Sequence, residues 1–354
     1  MIVCIVLLFV VIRLFLELVY PPSRIERRPR RRVFETTRRI AHRGSRIEFP
    51  ENTVEAFKFA IEQQADMIEL DVWYTKDKKI VVFHDGDLFR CTGVNGHVND
   101  LAFEDLPSLR LPTTDKWLQG SHRRDAKTKE YRIPLLKDVL KLLGNDKNVL
   151  VEIKEMKDSK RIVREVYEML KESSLIERAI WFSLKHKTNN HIRSFQRSIP
   201  KLKQIPNLPS VIDVIRVIVL YYTGLLPYCR VDFDVFGVVV IPVVPGSNHL
   251  PFHDKVSFIP KYIYRFLIHL FFSHGGLMYS PKICKHLRNR GIPTVVLGVN
   301  ADNAENITHP KELSNSSVAL RIARKLGMSA CLSDSPAWMW TNTRNDEFTR
   351  ANFK

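Results

Sequence analysis

From residue 38 onward, short apolar runs alternate with stretches whose apolar residues recur every three or four positions. Runs at 66–75, 79–84, 148–154, 179–184, 237–243, 293–300 and 329–333 have the length and composition of strands. "RRIAHRG" reads as one more strand, ending in a glycine turn at His42. Helical periodicity marks 135–143, 159–172, 280–290 and 316–326. It also marks "ENTVEAFKFAIEQQ", with a cap expected near Asn52 and Val54, Phe57 and Ile61 on one face. Strands alternating with helices imply parallel pairing through crossover helices, and about eight strands predict a closed (β/α)8 TIM barrel over an open doubly wound sheet.

Two segments depart from this rhythm. "SVIDVIRVIVLYYTGLLPY" and "IPKYIYRFLIHLFFSHGG", within 208–275, are apolar and helix-like. They are read as a membrane-facing or acyl-chain-binding surface, with buried barrel helices as the alternative. At the start of the chain, "MIVCIVLLFVVI" is uncharged, and its apolar run continues to Tyr20 with only Arg13 and Glu17 interrupting. A helix over these residues would be about 30 Å long, close to the hydrocarbon thickness of a bilayer. A cleaved signal peptide wants positive charge before the run and small residues after it, and neither is present. An uncleaved anchor over 1–22 is expected, with an interfacial helix as the other possibility. A basic linker would cover 23–37, the barrel 38–340 and a tail 341–354.

Charge sharpens this organisation. The chain of 354 residues has a net charge of +17, and eight arginines stand against two glutamates between Pro21 and Ile40. Such a belt beside an apolar segment suits an anionic membrane face and places the barrel in the cytoplasm, on the endoplasmic reticulum or another intracellular membrane. The sequons "NIT" at Asn306 and "NSS" at Asn315 are then expected to be unmodified. No nucleic-acid module accompanies the charge, so no nucleic-acid partner is expected, nor an obligatory protein partner. Five scattered cysteines of odd number exclude a disulfide framework or a cysteine zinc site. Hydrophobic content of 45% excludes global disorder.

The candidate chemistry lies in "IELDVWYTKDKKIVVFHD" and "VLVEIKEM". Strand side chains alternate, so Glu69 and Asp71 share one face while Ile68, Leu70 and Val72 take the other. Glu152 and Lys154 are paired likewise. Carboxylates facing a barrel interior need cationic compensation. Three of them at one end suit a hard divalent cation, Mg2+ or Ca2+, against the plainer alternative of buried salt bridges. His42 and His84 end strands where barrel active sites assemble, and paired imidazoles suit acid and base steps near neutral pH.

These residues resemble a known family. "HRG", "ENTVEAF", "DMIELDVWYTKDKKIVVFHDGDLFRCTGVNG", "IPLLKDVL" and "VEIK" are similar, in order and spacing, to the glycerophosphodiester phosphodiesterases, and "RGIPTVVLGVN" and "KLGMSACLSDSP" resume the likeness. "YYTGLLPYCRVDFDVFGVVVIPVV" is similar to their membrane-bound lysophospholipase D branch. The resemblance implies a TIM barrel holding one divalent cation on Glu69, Asp71 and Glu152, with His84 close enough to ligate. It implies His42 and His84 as the acid–base pair, and Arg43 and Lys154 on phosphate oxygens. Asn300 matches a late substrate-binding asparagine, Leu297 replaces an expected aromatic, and "SDSPAW" keeps Asp334 and Pro336. The expected activity is hydrolysis of lysophospholipids to lysophosphatidic acid and a head-group alcohol. Alternatives are a phosphodiesterase acting on deacylated glycerophosphodiesters, a phosphatidylinositol-specific phospholipase C, and a catalytically weak lipid-binding membrane protein.

Overall fold

The computed structural model describes residues 11, 15, 32–46, 48–110, 130–144, 146–240, 260, 280–298 and 330–333. Apart from Val11 and Phe15, the expected anchor lies outside the described residues, as does the linker up to Arg31. So do the second apolar segment except Pro260, the helix at 316–326, Asn300, Asn306, Asn315, Asp334, Pro336 and the tail. Among the described residues, no helix is long and apolar enough to cross a membrane.

Seven parallel strands form one curved sheet. They are β1 (Arg39–Ala41), β2 (Met67–Tyr74), β4 (Asn148–Ile153), β5 (Ala179–Phe182), β6 (Phe236–Val240), β7 (Thr294–Gly298) and β8 (Ala330–Ser333), in the order β5-β4-β2-β1-β8-β7-β6. The run at 79–84 is not one of these staves: β3 (Ile80–Val82) folds back antiparallel on β2, pairing Val72 with Val82. Its tight connection through Lys78 is too short for a parallel crossover. The eighth stave is instead the extended piece around Asn207, which the hydrophobic pattern did not mark. Trp181 N–H donates to Pro206 O at 3.1 Å and Leu208 N–H to Trp181 O at 3.2 Å, while Asp234 N–H donates to Asn207 O at 2.8 Å. Asn207 thus joins β5 to the residues leading into β6 and closes the ring.

Alternation along the strands sorts the core. Ile68, Leu70, Val72, Val149 and Val151 face outward, and Trp181 joins the same cluster. They pack on α2 (Val54–Glu62), α3 (Leu136–Leu142), α4 (Ser159–Glu172) and α5 (His186–Arg197). Ile40, Met67, Leu150, Ile180, Leu208, Val235, Val295 and Leu332 fill the interior. Val33 joins that inner cluster from α1 (Arg32–Thr36), a short helix at the N-terminal ends of the strands within the span expected as linker. Two arginines of the basic belt are also drawn into the fold there. The Asp66 carboxylate accepts the backbone N–H of Arg38 at 3.0 Å and of Arg39 at 2.8 Å, and pairs with the Arg39 guanidinium.

Helix α2 starts one residue later than expected. Thr53 is its cap, accepting the Ala56 N–H at 3.2 Å, and the buried face is Ala56, Phe57 and Ala60, with Val54 and Ile61 only half-buried. Gly44 lies against this helix with φ +83°, and a Cβ there would fall 2.8 Å from the Ala56 carbonyl carbon and 2.9 Å from its Cβ. Gly144 also has positive φ, +54°, but a Cβ there would meet only Asp146 at 3.7 Å. Gly44→Ala should therefore lower the melting temperature clearly more than Gly144→Ala, since strain at positive φ alone costs on the order of 1 kcal/mol. Equal shifts in thermal melts followed by circular dichroism would remove the steric argument.

Candidate active site

The ionisable side chains of the barrel interior gather at the C-terminal ends of β2 and β4, whereas Asn148 at the opposite end bonds to Thr36 and Thr37. Strand β2 places Met67, Glu69 and Asp71 inward in rising order, and register sets Asp71 beside Glu152 on β4. Beneath them lies the apolar floor of Met67 and Leu150; level with Glu152 in register is Phe182 on β5. Glu69, Asp71 and Glu152 are all buried, and each offers an oxygen within 4.8 Å of the other two.

Two cations compensate this negative cluster. Lys154 Nζ stands 2.8 Å from Glu152 Oε2 and 3.2 Å from Asp71 Oδ1. Arg43 is only 3% exposed; its backbone N–H donates to Glu69 Oε2 at 2.9 Å and its Nε lies 3.5 Å from Asp71 Oδ2. Burial opposes charge on both, yet the facing carboxylates prevail and raise the pKa of Arg43 and of Lys154, keeping both protonated. The carboxylates separate. Burial and the neighbouring Asp71 push Glu69 well above the usual carboxylate range. Asp71 is buried too, but Lys154, His84, Arg43 and the Asn52 amide hold it well below that range.

A strained loop aims these groups. Arg43 at φ 51° and Asn52 at φ 58° are both left-handed without being glycine, and Asn52 N–H closes the loop onto Arg43 O at 2.9 Å. Asn52 Nδ2 donates to Asp71 Oδ2 at 3.0 Å. The residue expected to cap a helix instead holds a carboxylate of the site. Glu51 beside it accepts from Arg43 at 2.8 Å and from Arg90 at 2.6 Å, and these two charges outweigh burial to keep it ionised.

The histidines flank the cluster without joining the 4.8 Å group of carboxylates. His42 Nε2 is 4.0 Å from Glu69 Oε2. His84 Nδ1 lies 2.6 Å from Asp85 Oδ1, and Arg90 holds the other oxygen of Asp85. Although burial works the other way, those two hydrogen bonds depress Asp85 to about 2. An ionised Asp85 selects the Nδ1–H tautomer of His84 and leaves Nε2 as an acceptor. Glu51, Asn52, Asp85 and Arg90 were not among the expected site residues. The "HD" pair signalled Asp85, whereas nothing local signals Arg90, which reaches Glu51 across 39 residues.

An all-oxygen donor set of three carboxylates fits a hard cation such as Mg2+ or Ca2+ better than a thiophilic metal. Asp71 Oδ1 is buried and, apart from the ion pair with Lys154 at 3.2 Å, takes no hydrogen bond, so it has a lone pair to offer such an ion.

Comparison with known proteins converges on one family. Residues 42–211 match the model of the Glycerophosphoryl diester phosphodiesterase family. The chain is 32% identical over 224 residues to the human protein Lysophospholipase D GDPD1, covering 63% of this chain and 67% of that one. To the mouse protein of the same name it is 31% identical over 288 residues, covering 81% and 84%. Among solved structures, an Oleispira antarctica phosphodiesterase in complex with the product sn-glycerol-3-phosphate aligns with a TM-score of 0.54 at 18% identity, covering 87% of this chain and 98% of that one, a likeness of fold.

Cation binding should carry a proton signature. Burial and Asp71 raise the pKa of Glu69 in the cation-free site, and a ligating carboxylate must be ionised, so binding should release protons where that group titrates and tighten as pH rises. Calorimetric titration of the full chain with Mg2+ or Ca2+ in buffers of different ionisation enthalpy measures this. Asp71→Ala should weaken binding at least about 10- to 100-fold, and Glu62→Ala, exposed on α2, should not change it. Proton uptake, or undiminished binding by Asp71→Ala, would contradict the assignment.

Proposed function

The chain belongs to the glycerophosphoryl diester phosphodiesterase family, and from this premise we propose that it hydrolyses lysophospholipids, releasing the head-group alcohol and lysophosphatidic acid. It is a phosphoric diester hydrolase. The observation that carries the finer reading is the meeting of three buried carboxylates, the buried Arg43, the half-buried Lys154 and two histidines at one barrel end. A divalent cation held by Glu69, Asp71 and Glu152 would supply positive charge to a phosphodiester in its transition state. A loss of cation affinity in His84→Ala alone would make His84 a further ligand instead of a proton carrier.

The rest of the chemistry belongs to the side chains. Arg43 and Lys154 hold phosphate oxygens, and their fixed positive charge lowers the cost of the charge that develops at phosphorus. His84, its Nδ1–H turned to Asp85, takes the proton of the sn-2 hydroxyl at Nε2. That oxygen attacks phosphorus, and His42 protonates the departing choline or ethanolamine oxygen. In the second half the roles reverse: His42 takes a proton from water, which opens the cyclic phosphate, and His84 returns its proton to the sn-2 oxygen. Asn300 would bind substrate from outside the described residues. The route needs a free hydroxyl beside the phosphodiester, so diacyl lipids are excluded. A glycerophosphodiester without an acyl chain satisfies the same requirement and is the second reading.

Membrane attachment rests on the apolar first 20 residues and the arginines that follow. They support a barrel on the cytoplasmic side of an intracellular membrane such as the endoplasmic reticulum.

Two measurements test these readings. Purified protein should release choline from lysophosphatidylcholine but not from the diacyl lipid, and chelation should abolish release. His42→Ala and His84→Ala should each lower turnover by about 10²- to 10⁴-fold with the fold retained. Equal turnover of diacyl and lyso lipids would refute the cyclic route. For orientation, endoglycosidase should leave the mobility of the cell-expressed protein unchanged. A shift lost in the Asn306→Gln, Asn315→Gln double variant would place the barrel in the lumen.

A further inference from the structure

Helix α6 (Val211–Tyr222) follows the eighth stave and carries its apolar residues on the wrong side for a core helix. Asp213, Val217 and Ile218 face the barrel and are buried. Val211, Ile212, Ile215, Val219 and Tyr222 point away from it, each 50–54% exposed. Their spacing of three and four residues puts them on one face, a stripe about 16 Å long at 1.5 Å per residue.

The start of the stripe lies beside the active site. Phe182 pairs in register with Glu152, so Leu184, two residues further along and exposed, lies just past the level of the carboxylates. Val211 N–H donates to Leu184 O at 3.4 Å, which fixes the start of the stripe to the mouth of the barrel. From there the stripe runs down the flank.

Its charge setting is one-sided. Between Leu184 and Arg230 the sequence holds eight lysines and arginines and a single acid, Asp213. That acid is spent within the fold, taking hydrogen bonds from Arg193 and from the Ser210 N–H and Oγ–H. Lys185 and Lys187 are exposed beside Leu184, and Arg216 is exposed next to Ile215. An apolar stripe flanked by exposed cations is complementary to an anionic bilayer surface: the side chains enter the acyl boundary and the cations meet lipid phosphates. A protein partner would need matching acids and would leave the approach of lipid to the mouth unexplained.

We propose that Leu184 and the outer face of α6 dock the barrel on an anionic bilayer, edge-on, so that a lysophospholipid reaches the carboxylates from the plane of the membrane. The docking surface rests on the lysophospholipid reading above. It is independent of the anchor, setting the barrel's orientation at the surface where the anchor only tethers it.

The full chain is studied bound to vesicles of phosphatidylcholine alone or with phosphatidylserine. Hydrogen exchange of Val211–Tyr222 is expected to slow when phosphatidylserine is present, with no substrate needed. No slowing would overturn the proposal, and equal slowing on both vesicles would overturn its anionic part. Slowing that depends on protein concentration without vesicles would assign the stripe to a second copy instead. The Ile212→Asp, Ile215→Asp double variant should keep turnover of soluble glycerophosphocholine within about twofold, which also reports its folding. It should lose tenfold or more on lysophosphatidylcholine in the mixed vesicles. Equal losses on both substrates, or none on vesicles, would overturn docking. Hydrogen exchange reads the surface even if neither lipid nor soluble diester is turned over, so failure of the catalytic reading is told apart from failure of the docking surface.

Discussion

Three carboxylates sit in the dry end of a barrel, and the cost of burying them organises what surrounds them. Each unpaired charge would cost several kcal/mol even after relaxation. Lys154 lies two residues beyond Glu152 on the same strand face, the shortest spacing at which an ammonium can turn back on its own carboxylate. Arg43 reaches the cluster only because its backbone is left-handed, which lets its N–H and its guanidinium address two different acids. Asn52 must be left-handed as well to give Asp71 its amide. Glu51 then balances Arg43, and Arg90 balances Glu51. The network runs outward from the cluster until it reaches solvent at Arg90.

Much of this was legible in the sequence because strand alternation is a strict rule. Glu69 and Asp71 had to share a face, and the apolar residues between them had to take the other. Order along the chain was less informative about which strands form the ring. The run at 79–84 has a strand's composition and is a strand, but its loop permits only an antiparallel return. The true eighth stave around Asn207 is short, preceded by Pro206 and followed by Pro209, and it holds its place through a few backbone hydrogen bonds that no hydrophobic pattern encodes. Asparagine before an apolar periodic run ordinarily caps the helix, which makes Asn52 the expected cap. Thr53 does that work, and only the fold brings Asp71 within reach of the asparagine amide.

The helices around the ring are not equivalent. Those following β4 and β5 bury their apolar faces against the sheet, as the core cluster records. Helix α6 buries one apolar side and exposes another, and its composition alone could not say which residues would do which. A helix apolar all round is normally enclosed on every side. Here the barrel supplies one wall, and the other is left to the surroundings. The same part of the chain borders the mouth, so the chemistry of the surroundings and the chemistry of the site are adjacent.

The join at Asn207 has a consequence for how the molecule comes apart. The described staves meet through ladders of unequal length, six paired residues between β2 and β4 but two between β1 and β2 and two between β7 and β8, and the ring closes through a handful of bonds around one asparagine. Cooperative opening starts where protection is thinnest. The barrel would therefore yield at its short joins, the clasp at Asn207 among them, while the β2–β4 ladder that carries the carboxylates stays closed. Stress from this side of the molecule, including that of a helix pressed on a moving surface, is then absorbed at the clasp before it reaches the site.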